Sequence, residues 1–266
     1  MNGIMIAVIV IAAVGLVGGI VLVIASRILA VKEDRRVGEI TEALPGANCG
    51  SCGFAGCAAY AKAIVGGEAV NRCVPGGADT AAKIAEIMGT DAGDTEPYKA
   101  FVACRGNLDN TSQRFEYNGI PTCSACNSVY NGNRSCPFGC LGFGDCVRVC
   151  KFDAIRIENG VAVIDKDKCT GCGSCKDVCP KKIIYLYPPL REPRPTVMCA
   201  NHEKGVDTRK QCKAGCIACG RCVRECEQKA ITLHYNVARI DYTLCNGCGK
   251  CVQNCPVKCI EFMKDV

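Results

Sequence analysis

The stretch Cys169-Thr-Gly-Cys172-Gly-Ser-Cys175-Lys-Asp-Val-Cys179-Pro180 spaces four cysteines by two, two and three residues and closes on a proline. It returns as Cys245-Asn-Gly-Cys248-Gly-Lys-Cys251-Val-Gln-Asn-Cys255-Pro256. Three thiolates within seven residues wrap one metal cage in a tight loop, and the fourth cysteine opens a segment leading to a neighbouring cage. Zinc seldom draws three ligands from so short a loop. The spacing is that of [4Fe–4S] cubanes held in pairs.

Working outward, residues 123–186 align with 199–262 at an offset of 76. Within that span AIRIENGVAVIDKDKCTGCGSCKDVCP matches AITLHYNVARIDYTLCNGCGKCVQNCP without a gap. Internal duplication of this kind marks repeated structural units. A shorter period of 29 separates Cys150 from Cys179 and Cys226 from Cys255, so each copy is two facing half-motifs. Short apolar runs around Glu158-Asn159-Gly160 predict a hairpin between the halves.

One half-motif departs from the rule. In CPFGCLGFGDCVRVC, residues 136–150, Phe143 stands where the second copy has Cys219. Either the site has decayed or a donor comes from elsewhere; Cys136, four residues before Cys140, is the expected substitute. By the swapped rule the first copy pairs Cys136, Cys140, Cys146 and Cys179, and beside them Cys150, Cys169, Cys172 and Cys175. The second copy pairs Cys216, Cys219, Cys222 and Cys255, then Cys226, Cys245, Cys248 and Cys251. Lys151 and Glu227 replace the proline of the other two runs without touching ligation.

The N-terminal group NCGSCGFAGC with Cys73 offers Cys49, Cys52, Cys57 and Cys73. Four soft sulfurs suit an iron–sulfur cluster or zinc, and a helix over 58–65 spans the third and fourth ligands. The expected total is five [4Fe–4S] clusters on 20 of 26 cysteines. Cys104, Cys123, Cys126, Cys199, Cys212 and Cys259 remain; a sixth cluster built from them stays open, while Cys259 aligns with Ile183 and reads as packing.

Cysteine makes up 26 of 266 residues, tryptophan is absent and aromatics are 6%. Such grouped thiols suit metal binding in a reducing compartment better than disulfides. The formal charge of +6 omits the clusters; at roughly −2 each, five bring it to about −4, so the basic pI gives no reason to expect nucleic acid. Residues 4–25 are 22 residues without a charge, long enough for a membrane helix and longer than the apolar region of a cleaved signal peptide. Arg27, Lys32, Arg35 and Arg36 follow, which keeps the bulk of the chain cytoplasmic. A helix is also expected over 79–88, capped at Asp79 and stopped at Gly89, and a strand near 98–104.

The anchor, the NCGSCGFAGC…C group and the doubled cubane runs together resemble the B subunits of Rnf ion-translocating ferredoxin:NAD oxidoreductases, in their long form with two ferredoxin-type domains. The resemblance implies an electron-relay subunit of the bacterial inner membrane. It would take electrons from reduced ferredoxin and pass them to membrane partners that reduce NAD and move Na+ or H+. A free-standing membrane-tethered polyferredoxin is the alternative, and a zinc protein a third.

The expected architecture is α+β: a transmembrane anchor over 1–31, a four-cysteine domain over 32–90 and a connecting segment over 91–131. A two-cluster ferredoxin-like domain over 132–186, a linker over 187–207 and a second such domain over 208–266 complete it. No dinucleotide fingerprint follows a strand, and His202 and His234 are isolated, so no catalytic residues are expected. Lys181, Lys182, Arg191, Arg194, Lys204, Arg209, Lys210 and Lys213 form either a solvated face or a patch that steers an acidic ferredoxin.

Overall fold

A computed structural model of the chain describes residues 2–28, 34–93, 98–187 and 194–262. Helix α1, Asn2–Ile28, carries the apolar run. Among the described residues no helix is long and apolar enough to cross a membrane. Residues 29–31 of the expected anchor and the flanking Lys32 lie outside the described residues.

A small helical unit follows, with α2 (Arg35–Ala43), α3 (Cys57–Val65) and α4 (Gly77–Met88). Asp34 caps α2 by accepting the Arg36 N–H at 2.9 Å. Ile40, Tyr60, Ile64 and Ile84 are buried where the three helices meet. Helix α4 starts two residues before Asp79, which instead sits in the first turn where a carboxylate favours the helix dipole. It ends, as expected, on Gly89 at φ 66°.

Two ferredoxin-type modules form the rest. The first contains β1 (Lys99–Val102), α5 (Cys123–Ser128), α6 (Asp145–Val149), β2 (Ile155–Glu158), β3 (Val161–Ile164), α7 (Ser174–Val178) and β4 (Ile184–Tyr187). The second contains β5 (Pro195–Val197), α8 (Gly205–Gln211), α9 (Arg221–Arg224), β6 (Ile231–His234), β7 (Val237–Ile240), α10 (Lys250–Gln253) and β8 (Ile260–Phe262). The predicted hairpins are present: β2 pairs antiparallel with β3 and β6 with β7. Positive φ at Asn159 and Gly160, and at Tyr235 and Asn236, makes both turns, the backbone that closes tight hairpins.

Each module also has an outer strand pair. β1 pairs with β4 and β5 with β8, Val102 facing Ile184 and Val197 facing Ile260. The segments 91–131 and 187–207, read from sequence as connections, thus each supply a strand. The pairing also corrects the repeat alignment at its leading edge. Ala103 N–H donates to Ile183 O and Met198 N–H to Cys259 O, both at 2.8 Å. Cys104, just after β1, is therefore the structural counterpart of Cys199, just after β5. The first module then takes 32 positions to reach Cys136 where the second takes 13 to reach Cys212. Helix α5 lies in that longer excursion.

Both module cores mix aliphatic side chains from these strands with cysteine sulfurs. Burial on so few aromatics leaves thiol placement to the backbone.

Candidate metal centres

Five groups of four thiols follow from this frame. Cys49, Cys52, Cys57 and Cys73 gather in the N-terminal unit, where burial first, then the neighbouring thiols, raises the pKa of Cys73. Asn48 Oδ1 accepts the Cys57 N–H at 2.8 Å, fixing the loop at the start of α3. Tyr60 ties down the Cys73 approach: its hydroxyl donates to Ala69 O at 2.7 Å and accepts the Arg72 N–H at 3.0 Å.

In the first module Cys150, Cys169, Cys172 and Cys175 come together; burial first, then the three neighbours, pushes Cys175 up to about 12. Backbone N–H groups aim at the sulfurs, Ala154 to Cys150 at 3.4 Å and Ala100 to Cys169 at 3.5 Å. In the second module Cys216, Cys219, Cys222 and Cys255 line one cavity, and Cys226, Cys245, Cys248 and Cys251 another.

The remaining group differs from the sequence reading. Cys140, Cys146 and Cys179 share their cavity with Cys123, whereas Cys136 lines a neighbouring one. The physical reason lies in the 140–146 loop. Cys123 lines the cavity of Cys140, Cys146 and Cys179, with the backbone N–H groups of Asp145, Phe143 and Gly144 near its sulfur, so α5 delivers a thiol to the place that Phe143 leaves empty. Asp145 holds α5 there, accepting the Cys123 N–H at 2.8 Å and the Ser124 N–H at 3.0 Å. The Phe143 ring packs edge-on against Tyr117, with centroids 5.5 Å apart, beside the buried Cys123, Cys126 and Leu141. No local spacing signals Cys123, which lies 17 residues before Cys140.

Cys259 also proves more than packing. Its sulfur is 3.7 Å from Cys255 Sγ, a thiol–thiol contact that brings Cys255 down to about 5. Among the described residues, no three His, Cys, Asp or Glu side chains converge closely enough to share one metal ion. Four sulfurs around a cubane stand farther apart than four around a single zinc, whose bonds are about 2.3 Å. The grouped thiols, their N–H···S bonds and their glycine-bearing loops fit clusters.

Family models place the same regions. A putative Fe-S cluster family matches residues 44–75, a 4Fe-4S binding domain 162–185 and a 4Fe-4S dicluster domain 215–259. The B subunit of the Na(+)-translocating ferredoxin:NAD(+) oxidoreductase complex of Acetobacterium woodii is 45% identical over 92% of this chain and 74% of its own. The proton-translocating counterpart of Clostridium ljungdahlii is 39% identical over 92% and 87%. The B subunit of the ion-translocating oxidoreductase complex of Methanosarcina acetivorans is 37% identical over 89% of both chains.

The chain belongs to this B-subunit family.

As a member it is an iron–sulfur electron relay within an ion-translocating ferredoxin:NAD(+) oxidoreductase. The relatives' names divide between sodium and proton, so membership alone leaves the ion open.

Proposed function

We propose that this chain holds [4Fe–4S] clusters on five thiol sets: Cys49, Cys52, Cys57 and Cys73; Cys123, Cys140, Cys146 and Cys179; Cys150, Cys169, Cys172 and Cys175; Cys216, Cys219, Cys222 and Cys255; and Cys226, Cys245, Cys248 and Cys251. Bound clusters supply one-electron chemistry at low potential. The protein's part is to place them in series and tune them through N–H···S and S–H···S bonds. The observation that carries the reading is the gathering of thiols four by four around cavities in both modules.

Neighbouring sets stand close. Cys146 interacts with Cys175 and Cys222 with Cys251. Lys151, directly after Cys150, donates to Ala47 O at 2.6 Å and Asn48 O at 3.2 Å, beside Cys49. The N-terminal set therefore adjoins the first module.

Membrane attachment rests on α1. Its described side chains, Met5, Ile11, Leu16 and Leu22 among them, stand exposed around the helix. A helix apolar on every side belongs in a core or a bilayer. Deleting residues 1–31 should move the chain from the membrane fraction to the soluble one; retention there in the absence of partners would refute the anchor.

Electron uptake from reduced ferredoxin is proposed at the basic face. Within it Lys181 Nζ is engaged with Asn131 O and Pro137 O, and Arg194 Nη1 with Tyr242 O; Arg191 lies outside the described residues. Lys182 Nζ donates to Asp177 O and Lys210 pairs with Asp207 at 3.7 Å, so Lys204, Arg209 and Lys213 are left as the steering charges. Reversing these three should slow reduction by ferredoxin, most at low salt. Iron and acid-labile sulfide analysis of anaerobic protein tests the cluster reading; zinc without sulfide would sink it.

A further inference from the structure

A sixth group of thiols lies between the modules. Cys104, Cys136, Cys199 and Cys212 line one cavity, with Cys140 of the neighbouring set at its edge. All four are cysteines that the five sets leave unused. We propose that they bind a further [4Fe–4S] cluster at the seam between the two modules, an inference that rests on the cluster reading above.

The arrangement is two by two. Cys104 and Cys199 are counterparts, each two positions after its module's outer strand. Cys136 and Cys212 are counterparts at the repeat offset, each four residues before the first cysteine of its module's cage loop. The hydrogen bonds repeat the symmetry. Cys104 Sγ accepts the Gly106 N–H at 3.3 Å and the Cys140 N–H at 3.4 Å. Cys199 Sγ accepts the Asn201 N–H at 3.5 Å and the Cys216 N–H at 3.3 Å. These are the same two donors in each copy, the residue two ahead and the first ligand of the adjoining cage. Asn201 Nδ2 also donates to Cys136 Sγ at 3.5 Å. N–H···S bonds of this kind are how protein stabilises cluster thiolates.

The cavity walls agree. A β-carbon on Gly106 would lie 3.4 Å from Cys104 Sγ and 3.7 Å from Cys212 Sγ; on Gly139, 3.6 Å from Cys136 Sγ and 3.7 Å from Cys104 Sγ. Backbone without side chains thus borders three of the sulfurs. Arg134 lines the same cavity, 4% exposed, and its Nη1 is buried without a hydrogen-bond partner. A buried guanidinium left uncompensated is costly, and a cluster with four thiolates supplies the missing negative charge. Cys126 and Cys259 remain outside every set.

The placement matters for the relay. The sulfurs of Cys104 and Cys199 touch the backbone of Cys140 and Cys216, ligands of the nearest set in each module. An electron passing between modules crosses at this seam.

The test is metal content of the full-length, anaerobically purified and reconstituted chain. Wild type should carry about 24 iron and 24 sulfide per chain. Cys199→Ala and Cys212→Ala should each retain about five sixths of that, while Cys126→Ala retains all of it. A wild-type content of about 20, unchanged in Cys199→Ala and Cys212→Ala, would overturn the seam site and leave the five sets standing. Absence of iron and sulfide would instead defeat the cluster reading itself. Should a seam variant lose most of its iron by misfolding, the wild-type count decides.

Discussion

Removing Cys123 tests the most specific placement in the structure. Cys123→Ala should strip one cluster, about four irons, from the set completed by Cys140, Cys146 and Cys179. The decisive step is to add Phe143→Cys on that background. Residue 143 occupies the position of Cys219 in the other module, and its backbone lies near the Cys123 sulfur. A thiol there starts from the loop the cubane needs, so the double variant should recover the lost iron. Phe143→Cys forfeits the edge-to-face contact with Tyr117 and partial burial, a loss of about 2 kcal/mol visible as a lower Tm. The same rescue applied to Cys136→Ala should fail, because Cys136 serves a different cavity. Iron, sulfide and the paramagnetic signals of the reduced protein report the outcome. Full iron in Cys123→Ala, or recovery of Cys136→Ala by Phe143→Cys, would refute the assignment.

Three further outcomes are expected. Cys259→Ala removes the thiol in contact with Cys255; iron content should hold while the potential of that cluster falls. A weak donor contributing about 1 kcal/mol between redox states gives a shift of at most ~40 mV, and an upward shift on redox titration would contradict it. Tyr60→Phe leaves the Arg72 N–H and Ala69 O near Cys73 without their partner, costing about 1–3 kcal/mol; faster chelator extraction of the N-terminal iron alone should accompany the lower Tm. Gly171→Ala puts a β-carbon 2.1 Å from Tyr98 O at φ +72°. Thermal unfolding should show a loss of about 2–4 kcal/mol, and an unchanged Tm would mean the loop adapts.

The sequence carried the modules well where ligands are neighbours. The runs at 169–179 and 245–255 and the hairpins were legible because loop geometry is local. Cys123 was not legible, since its partnership with Cys140 depends on α5 folding back under Asp145. The seam group was hidden for a related reason. Ungapped alignment sets Cys199 against Cys123, whereas strand pairing sets it against Cys104; the longer excursion before Cys136 breaks the register that residue counting relies on. Strand β1 was legible as the strand expected near 98–104, whereas β5 was obscure because it pairs with the far end of its module.

Lys151 departs from the proline of the sister runs, and its ammonium spans to the carbonyls of Ala47 and Asn48. Its counterpart Glu227 turns instead to Lys250 within its own module. A ring at position 151 would keep the local bend and sever the strut between the helical unit and the module, leaving the gap across which charge must hop free to widen and narrow. At this position one repeat copy thus keeps its charge within its own module and the other uses it to hold the neighbouring unit.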